Sequence, residues 1–213
     1  MEKSDALVIV AHPDDETIWM GGTILRNKDW KWTILSLTRS KDSDRMPKFE
    51  KVCKVYNANA IISDLDDELL QPLDINGVIS KIKSSLPQKK YDFVFTHGKN
   101  GEYGHIRHIE THNAVEQMAK SGELVANEVF FFNYKKGENI PYPQLKVPEP
   151  ITSSDFVLDL NEQEFELKKE IIRNIYGYPN EKGFELMSCN KRESFSARRA
   201  DAGDTEPAGG LGL

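Results

Sequence analysis

The feature that most constrains the fold is an apolar run, Leu7–Val10, that is followed almost directly by a polar cluster at 12–16. Such a run predicts a strand buried on both faces, as in a parallel sheet. The cluster has the sequence His-Pro-Asp-Asp-Glu. Pro13 cannot continue the ladder of the strand, and Asp14 or Asp15 can cap a following helix. An acidic cluster therefore lies where a core strand ends and a helix starts, which is where open α/β sheets bind ligands.

The three adjacent acids of this cluster repel one another unless a cation or another positive partner offsets their charge. An imidazole beside carboxylates is a common metal-binding combination, so His12 makes a metal ion the natural candidate. The alternative is structural: one acid caps the helix and the others are solvated in the turn. This segment alone leaves both interpretations open.

Strands and helices alternate along the chain after this segment. Four further strands are predicted at Lys31–Thr38, Ala60–Ile62, Tyr91–Thr96 and Glu128–Tyr134. Helices with an apolar face are predicted between or after them, at 17–28, 47–56, 75–86 and 108–120. This alternation is typical of βαβ units and predicts an α/β fold with a mostly parallel sheet and helices on both faces.

The C-terminal third has a different pattern. Lys135–Pro150 contains four prolines and is predicted to be a long surface loop. Phe156–Leu158 is predicted as a small strand, and Asn161–Ile175 as a closing helix. The residues from 196 onward offer almost nothing to bury, so burial cannot offset the entropy lost on ordering them. We therefore predict a single domain at 1–195 and assign 196–213 to a flexible tail, an interdomain peptide or an artificial extension.

The composition, with 38% hydrophobic and 29% charged residues, is that of an ordinary globular protein. A net charge of −6 favours neither nucleic acid nor an anionic membrane surface as a partner. No apolar run approaches the ~20 residues of a membrane helix, and the N-terminus leaves no room for a signal peptide. Cys53 and Cys189 indicate thiols in a reducing compartment, with a disulfide as the alternative. We expect a cytoplasmic protein, and these data are compatible with a homo-oligomer.

A second unusual segment, 96–108, follows the fourth predicted strand and contains three glycines. Four of the five histidines lie between His97 and His112, and the fifth is His12. Incidental core histidines would not be expected to cluster in this way. Glycine lets the backbone turn and approach a ligand closely. Because parallel strands end at one edge of a sheet, we expect this segment and His12 on the same side.

These residues together offer a set of metal ligands. His12, Asp15 and His108 supply two imidazoles and one carboxylate, which is a common catalytic zinc arrangement with one position left for water. Asp14, beside a ligand, can take a proton from metal-activated water and pass it to a leaving amine. His105 and His108 are three residues apart at a predicted helix start and project to the same side. His105 could stabilise an oxyanion if it is protonated or if it donates a hydrogen bond from the side opposite the metal.

The two segments resemble the motifs of the LmbE-like (PIG-L) family of zinc-dependent de-N-acetylases. Residues 11–16, Ala-His-Pro-Asp-Asp-Glu, match the first motif without a gap, and 101–108 match the second in a glycine and both histidines. The resemblance extends from about residue 6 to the Glu-Ser-Phe at 193–195. It implies a Rossmann-like sheet and the hydrolysis of an acetamide, usually on an amino sugar.

Carried over residue by residue, the resemblance implies His12, Asp15 and His108 as zinc ligands. It implies Asp14 as the general base and His105 as the electrostatic stabiliser. Mixed nitrogen and oxygen ligation does not select strongly between divalent ions, so Fe²⁺ is the alternative to Zn²⁺.

One departure from the family lies between the two histidines of the second motif. Many members have Pro-Asp there, whereas this chain has Ile106 and Arg107. The missing acid could leave His105 without a carboxylate partner. If the Arg107 side chain pointed inward, its charge would also disfavour the protonated form of His105.

Three further polar residues are candidates for substrate binding. Arg45 can hold substrate hydroxyls or a phosphate, with an exposed loop arginine as the alternative. Asp66 lies in an acidic loop after the third strand and can hydrogen-bond a sugar, with a solvated turn as the alternative. His97 ends the fourth strand beside the site, where a structural role is the alternative.

We therefore expect a zinc-dependent N-deacetylase that acts on a small N-acetylated sugar or glycoconjugate. One rival keeps the metal but hydrolyses another amide or ester. A rival from a different class is a catalytically silent sugar-binding protein on the same fold. The second rival is disfavoured because binding alone would not need both metal ligands and a base.

Overall fold

A seven-stranded sheet forms the centre of the structure, a computed structural model that describes residues 3–139 and 145–199. The strands are β1 (Asp5–Val10), β2 (Lys31–Ser36), β3 (Asn59–Ile62), β4 (Lys90–Thr96), β5 (Val125–Phe132), β6 (Tyr134–Lys136), β7 (Pro148–Pro150), β8 (Phe156–Asp159) and β9 (Arg192–Arg199). The helices are α1 (Asp15–Arg26), α2 (Arg45–Tyr56), α3 (Ile75–Ser85), α4 (Gly101–Gly104), α5 (Ile106–Ser121), α6 (Glu162–Glu170) and α7 (Phe184–Ser188), and a π-helical segment, Ile171–Tyr176, continues α6. None of the helices within the described ranges has the length and hydropathy that a membrane span needs.

The main sheet has the strand order β3-β2-β1-β4-β5-β9-β8, and β6 pairs with β7 in a separate ribbon. Every pairing among the first five of these strands is parallel. By contrast, β9 is antiparallel to both of its neighbours, β5 and β8. The predicted α/β fold with a mostly parallel sheet is therefore confirmed.

Strand β1 is buried on both faces because its side chains alternate between two apolar cores. Ala6, Val8 and Val10 join one core, together with side chains from α1, α2 and the π-helical segment. Leu7 and Ile9 join the other, together with side chains from α3 and α5. Each Val, Leu or Ile buried in this way contributes roughly 1.5–3 kcal/mol relative to an exposed one. This packing confirms the prediction of helices on both faces.

The two motifs leave the sheet at adjacent strand ends. Strand β1 lies between β2 and β4, and Ile9 pairs with Thr96 near the carboxyl ends of β1 and β4. The chain builds β1, β2 and β3 toward one edge and then crosses to β4 and β5 on the other side of β1. Such a reversal opens a crevice beyond the strand ends, where open α/β sheets bind ligands. The prediction that both segments emerge on one edge is confirmed.

The predicted strand Glu128–Tyr134 is divided between two sheets. Strand β5 begins earlier, at Val125, and Tyr134 belongs to the β6–β7 ribbon. At Asn133 the chain leaves the main sheet, so the extended segment continues although its pairing partner changes. The predicted loop Lys135–Pro150 consequently contains most of the ribbon, and its residues 140–144 lie outside the described part of the chain.

The predicted closing helix Asn161–Ile175 is observed in two parts. A capping box formed by Asn161 and Glu164 starts α6. The second part is the π-helical segment, a geometry that is rare and often occurs at functional sites. Here it directs the Tyr176 hydroxyl to Glu16 Oε1, 2.7 Å away in the first motif.

Strand β9 crosses the predicted domain boundary at residue 195. It continues to Arg199, and residues 196–199 pair with β5, with Ala197 opposite Phe130. The composition of these residues gave no sign of this, because strand pairing uses backbone hydrogen bonds and needs no large apolar side chain. The rest of the predicted tail, 200–213, lies outside the described residues.

Glu193 of β9 connects three elements inside one core. Helix α1 is broken at Met20, whose φ of −146° is not helical. The backbone N–H groups of Gly22 and Thr23, which start the second half of the helix, each donate to the Glu193 carboxylate at 2.8 Å. Lys168 Nζ also donates to it at 2.7 Å, and both charged side chains are fully buried. The carboxylate therefore caps the broken helix and neutralises a buried ammonium group.

Replacing Glu193 with Ala should destabilise the protein strongly, because it leaves Lys168 buried without a counter-charge. We expect the free energy of unfolding, measured by urea denaturation, to fall by about 3–5 kcal/mol. The matched control is Arg192→Ala in the same strand, which removes only an exposed ion pair with Asp159 and should leave the midpoint nearly unchanged. An equally small effect of both substitutions would contradict the capping role.

Candidate metal-binding and catalytic site

Three side chains that the sequence predicts as metal ligands meet beyond the ends of β1 and β4. His12 follows β1, Asp15 opens α1, and His108 lies in the first turn of α5. His12 Nδ1 is 3.2 Å from both Asp15 Oδ2 and His108 Nε2, and the last two atoms are 3.4 Å apart. The ligands of a tetrahedral zinc ion with bonds of about 2.0–2.1 Å are separated by about 3.3–3.4 Å. This ligand triangle therefore has the size that such an ion requires.

Two overlapping groups of side chains bring ligand atoms within 4.8 Å of one another. One group is His12, His105 and His108, and the other is Asp15, His97 and His108. His108 belongs to both groups, which places it at the centre of any ion site here. The ligand triangle takes members from each group, so the observed cluster is larger than the three predicted ligands.

His97 is fully buried and makes hydrogen bonds at both ring nitrogens. Its Nε2 accepts the backbone N–H of Ala11 at 3.0 Å, and its Nδ1 lies 2.9 Å from Glu102 Oε2. Burial lowers the pKa of His97, but Glu102 and Asp15 outweigh burial and raise it to about 9. In the neutral form of the ring the proton lies on Nδ1, because Nε2 accepts the backbone N–H. This placement leaves neither nitrogen for the substrate contact predicted for His97, and the ring instead packs under His108, with centroids 3.9 Å apart.

Glu102 orients His108, although it was not among the predicted site residues. Its Oε2 lies 2.6 Å from His108 Nδ1, and its Oε1 accepts the N–H of Gly98 at 2.8 Å. Because an ionised carboxylate only accepts, His108 Nδ1 donates and Nε2 keeps its lone pair for a metal. Burial raises the pKa of Glu102, but His97 and His108 outweigh burial and hold it at about 2. The turn that places this carboxylate is strained, since Glu102 has a φ of 57°.

The loop after β3 reaches the site through Asp67 rather than through the predicted Asp66. Asp67 Oδ1 lies 3.2 Å from His12 Nε2, whereas the half-exposed Asp66 carboxylate lies beside Arg107. Successive side chains of an extended segment point in opposite directions, so Asp67 points into the site and the predicted Asp66 points away from it. Burial lowers the pKa of His12, but Asp15 and Asp67 outweigh burial and raise it to about 9. Uptake of a metal ion must therefore displace a proton from His12.

Asp15 is held at its other oxygen by a tryptophan to which the sequence assigned no role. Trp19 Nε1 donates to Asp15 Oδ1 at 3.0 Å from one helical turn further along α1. Oδ2 is thereby directed at His12 and His108. Burial raises the pKa of Asp15, but the neighbouring imidazoles of His108, His97 and His12 outweigh burial and lower it well below its ordinary value. Asp15 is therefore ionised, as a metal ligand must be.

Asp14, the predicted general base, lies beside the ligand triangle with a backbone φ of 114°. Its Oδ2 accepts hydrogen bonds from Arg45 Nη1 at 2.9 Å and from the Tyr178 hydroxyl at 3.1 Å. Burial and the charge of Asp15 raise the pKa of Asp14 to about 8, although Arg45 opposes this shift. The Arg45 guanidinium also lies over the Tyr178 ring, 5.3 Å from its centroid. Arg45 therefore reaches the site, where it contacts Asp14.

His105, the predicted oxyanion stabiliser, faces the two histidines of the ligand triangle. Its ring centroid is 4.7 Å from that of His12 and 4.8 Å from that of His108. Its Nδ1 is buried and has no hydrogen-bond partner among the described residues. Burial and the charges of His108 and His12 lower the pKa of His105 to about 3, so the ring is neutral at pH 7. Arg107 does not point inward at His105, because its side chain binds the loop after β3.

Local signals could have identified some of the four site residues that the sequence analysis missed, namely Glu102, Asp67, Trp19 and Tyr178. Trp19 is four residues after Asp15 on a predicted helix, so the two share one face. Glu102 is a carboxylate inside the second motif, and Asp67 is the neighbour of a predicted residue. Nothing local indicates Tyr178, because it lies 164 residues from Asp14, the group it binds.

Two solved structures share this fold across almost the whole chain. GalB, the 4-carboxy-2-hydroxymuconate hydratase from Pseudomonas putida KT2440, is 14% identical with a TM-score of 0.62, and 97% of this chain and 100% of GalB are covered. The A40926 pseudoaglycone deacetylase Dbv21 is 14% identical with a TM-score of 0.59, and 94% of this chain and 100% of Dbv21 are covered. At these identities the likeness shows the fold alone.

A curated relative is the 1D-myo-inositol 2-acetamido-2-deoxy-alpha-D-glucopyranoside deacetylase of Corynebacterium diphtheriae. It is 22% identical over 156 residues, which cover 56% of this chain and 53% of the relative. The chain spans about half the length of the curated relatives it matches. The family model described as PIG-L, GlcNAc-PI de-N-acetylase, matches residues 7–119, which is more than half of the chain and runs from β1 into α5. The resemblance seen in the two motifs is thereby confirmed, and this chain belongs to the PIG-L family.

Proposed function

We propose that this protein is a divalent-metal-dependent hydrolase that removes the acetyl group from an N-acetylated amino sugar or glycoconjugate. The observation that carries the proposal is the ligand triangle of His12, Asp15 and His108 with the Asp14 carboxylate next to it. A protein that only binds a sugar needs neither metal ligands nor an adjacent base. Membership of the PIG-L family supports the same reaction class.

The residues present fit a divalent metal ion. Two nitrogens and one oxygen face one another, and each of the three side chains is held from behind by Glu102, Asp67 or Trp19. His105 Nδ1, which is buried at the site, lacks a hydrogen-bond partner among the described residues, as expected where another group binds. Zn²⁺ is the proposed ion and Fe²⁺ the alternative, because nitrogen and oxygen ligands discriminate weakly between them. Such an ion would polarise the amide carbonyl and lower the pKa of water in the site.

Asp14 is the proposed general base. Among the described residues, both hydrogen bonds to its carboxylate end on Oδ2, from Arg45 and Tyr178. Oδ1 is therefore left to take a proton from the attacking water and to pass it to the leaving amine. Burial and the charge of Asp15 raise the pKa of Asp14, and a divalent ion bound to Asp15 would offset that charge and favour the ionised carboxylate that a base requires.

His105 is proposed to stabilise the negative charge that develops on the amide oxygen. A neutral imidazole has one N–H to donate, and the pKa of about 3 keeps His105 neutral across the working range of pH. Its position against His12 and His108 puts this donor beside the ligand triangle. Because the donor is neutral, it adds no positive charge beside the metal ion.

An acetamido sugar is the proposed substrate class because the Corynebacterium relative is named as a deacetylase of such a sugar linked to inositol. Arg45, which is partly exposed beside Asp14, is proposed to bind substrate hydroxyls. Asp66, which is half exposed near the rim, is proposed to hydrogen-bond the sugar. His97 is left out of this set because it is fully buried.

A second candidate function is a different metal-assisted reaction at the same residues, such as the hydrolysis of another amide or an ester. The likeness to GalB, which is named as a hydratase, favours keeping this alternative, because one fold supports unrelated reactions. A catalytically silent sugar-binding protein is the third alternative. Acetate release from N-acetyl sugars, compared with cleavage of other amides and esters, separates the three functions.

The purified protein should contain one divalent ion per chain, and His108→Ala should lose it because one of three ligands is removed. The measurement is metal content by mass spectrometry after gel filtration. His112→Ala is the matched control, since this histidine lies one turn further along α5 and donates to the His97 carbonyl. Retention of the ion in His108→Ala would show that the metal binds elsewhere.

Asp14→Asn should keep the metal while turnover falls by about 10²–10⁴-fold, because the amide cannot act as a general base. Metal content and kcat are measured on the same preparation. Asp44→Asn serves as the control, since that carboxylate is exposed and pairs only with Lys48. Loss of metal from Asp14→Asn would show that Asp14 is a ligand.

The wild-type protein should release acetate from a simple N-acetylglucosamine derivative, slowly if binding groups of the natural substrate are missing. Removal of the metal with a chelator should abolish acetate release, and added zinc should restore it. Sugar binding without acetate release from any N-acetyl substrate would favour the silent binding protein. If the protein cleaves other amides or esters but no N-acetyl sugar, the assignment of the catalytic site stands and the proposed substrate class is wrong.

A further inference from the structure

Arg107 is a buried cation that directly precedes the ligand His108 in α5. Its side chain is fully buried. Nε donates to the carbonyl of Asp66 at 2.6 Å, and Nη1 donates to the carbonyl of Gln71 at 2.9 Å and to Glu110 Oε2 at 2.7 Å. Nη2 donates to Asp66 Oδ2 at 3.3 Å. Except for the bond to Glu110, all of these contacts end on one loop.

That acidic loop, residues 64–74, joins β3 to α3 and has no helix or strand of its own. It contains five acidic residues and exposes two leucines at its tip. Near its ends, Leu65 and Leu73 pack against the core, and Asp64 forms ion pairs with two lysines. Glu110 also binds the loop, because its Oε1 accepts a hydrogen bond from the backbone N–H of Leu73 at 2.7 Å. Arg107 and Glu110, one turn apart on α5, therefore hold the part of the loop from Asp66 to Leu73.

The acidic loop carries Asp67 to His12. Asp67 Oδ1 lies 3.2 Å from His12 Nε2 and 3.9 Å from Arg107 Nε, and Asp67 Oδ2 accepts from Arg39 at 2.6 Å. A carboxylate at one ring nitrogen of a histidine favours the tautomer that leaves the other nitrogen to a metal. Because Arg107 binds both the carbonyl and the carboxylate of Asp66, a loss of these bonds would leave the adjacent Asp67 held mainly by the more exposed Arg39.

We propose that Arg107 is a positioning residue for the metal site. It holds the acidic loop so that Asp67 stays behind His12, and His12 then presents Nδ1 to the ion; this inference rests on the proposed metal-dependent function. A guanidinium suits the task because its rigid fork donates in several fixed directions, which a lysine ammonium cannot reproduce. One turn of α5 thus presents His108 directly and orients His12 through the loop.

The test combines zinc calorimetry on the metal-free full-length protein with amide hydrogen exchange of residues 64–74. Arg107→Lys keeps a positive charge opposite Glu110 but loses the fork, and Arg107→Met loses both. We expect each to weaken zinc binding about 10–100-fold and to raise exchange in the acidic loop but not in β1. Asp67→Asn should weaken zinc binding similarly without raising exchange in the loop.

The double variant Arg107→Lys/Asp67→Asn separates positioning from a general loss of stability. If Arg107 acts through Asp67, the two losses are not additive, and the double variant binds zinc as Asp67→Asn alone does. Lys120→Met is the matched control, because it removes an exposed cation near the end of the same helix. That variant should change neither zinc affinity nor exchange in the loop.

Zinc affinity equal to wild type in a folded Arg107→Lys variant would overturn the positioning role and leave the proposed function intact. Additive losses in the double variant would do the same. A wild-type protein that binds no zinc would overturn both the proposed function and this inference. If a thermal melt shows that Arg107→Met does not fold, the lysine variant decides the question.

Discussion

Buried negative charge at the ends of β1 and β4 is the constraint on which the rest of the structure depends. Asp15, Glu16 and Glu102 are between 0% and 4% exposed. A carboxylate can stay ionised there only if hydrogen bonds and positive charges replace water. His97 and His108 donate hydrogen bonds to Glu102 and hold its pKa at about 2. The hydroxyls of Thr17 and Tyr176 donate to Glu16, although burial raises the pKa of that carboxyl to about 7. The acids and the histidines thus form one electrostatic unit, to which a divalent ion would add the missing positive charge.

The three side chains of the ligand triangle are also fixed in orientation. His108, Asp15 and His12 each have one polar atom in the ligand triangle and another held by a partner, which is Glu102, Trp19 or Asp67 respectively. Ligands that are fixed in this way lose little freedom when an ion binds, and a fixed tautomer keeps the correct nitrogen available. Arg107 extends the same principle by one step, because it orients the loop that supplies one of those partners.

The C-terminal part of the chain, beyond the family match at 7–119, completes the first motif. Tyr176, the last residue of the π-helical segment, binds Glu16, and Tyr178, two residues later, binds Asp14. Glu193, from the last strand, caps the second half of the helix that Asp15 begins. The sheet itself is shared with proteins named as a hydratase and a deacetylase, so the proposed function depends on these side chains and not on the fold.

The sequence by itself determined the elements whose causes are local. The apolar run of β1 and the break at Pro13 predicted a buried strand with a polar motif at its end, and the clustering of histidines after β4 predicted one shared site. Only the tertiary structure decided the choice of Asp67 over Asp66, the burial of His97 and the pairing of residues 196–199. These depend on hydrogen bonds between segments far apart in the chain, whose register and side-chain direction follow from packing in three dimensions rather than from local periodicity.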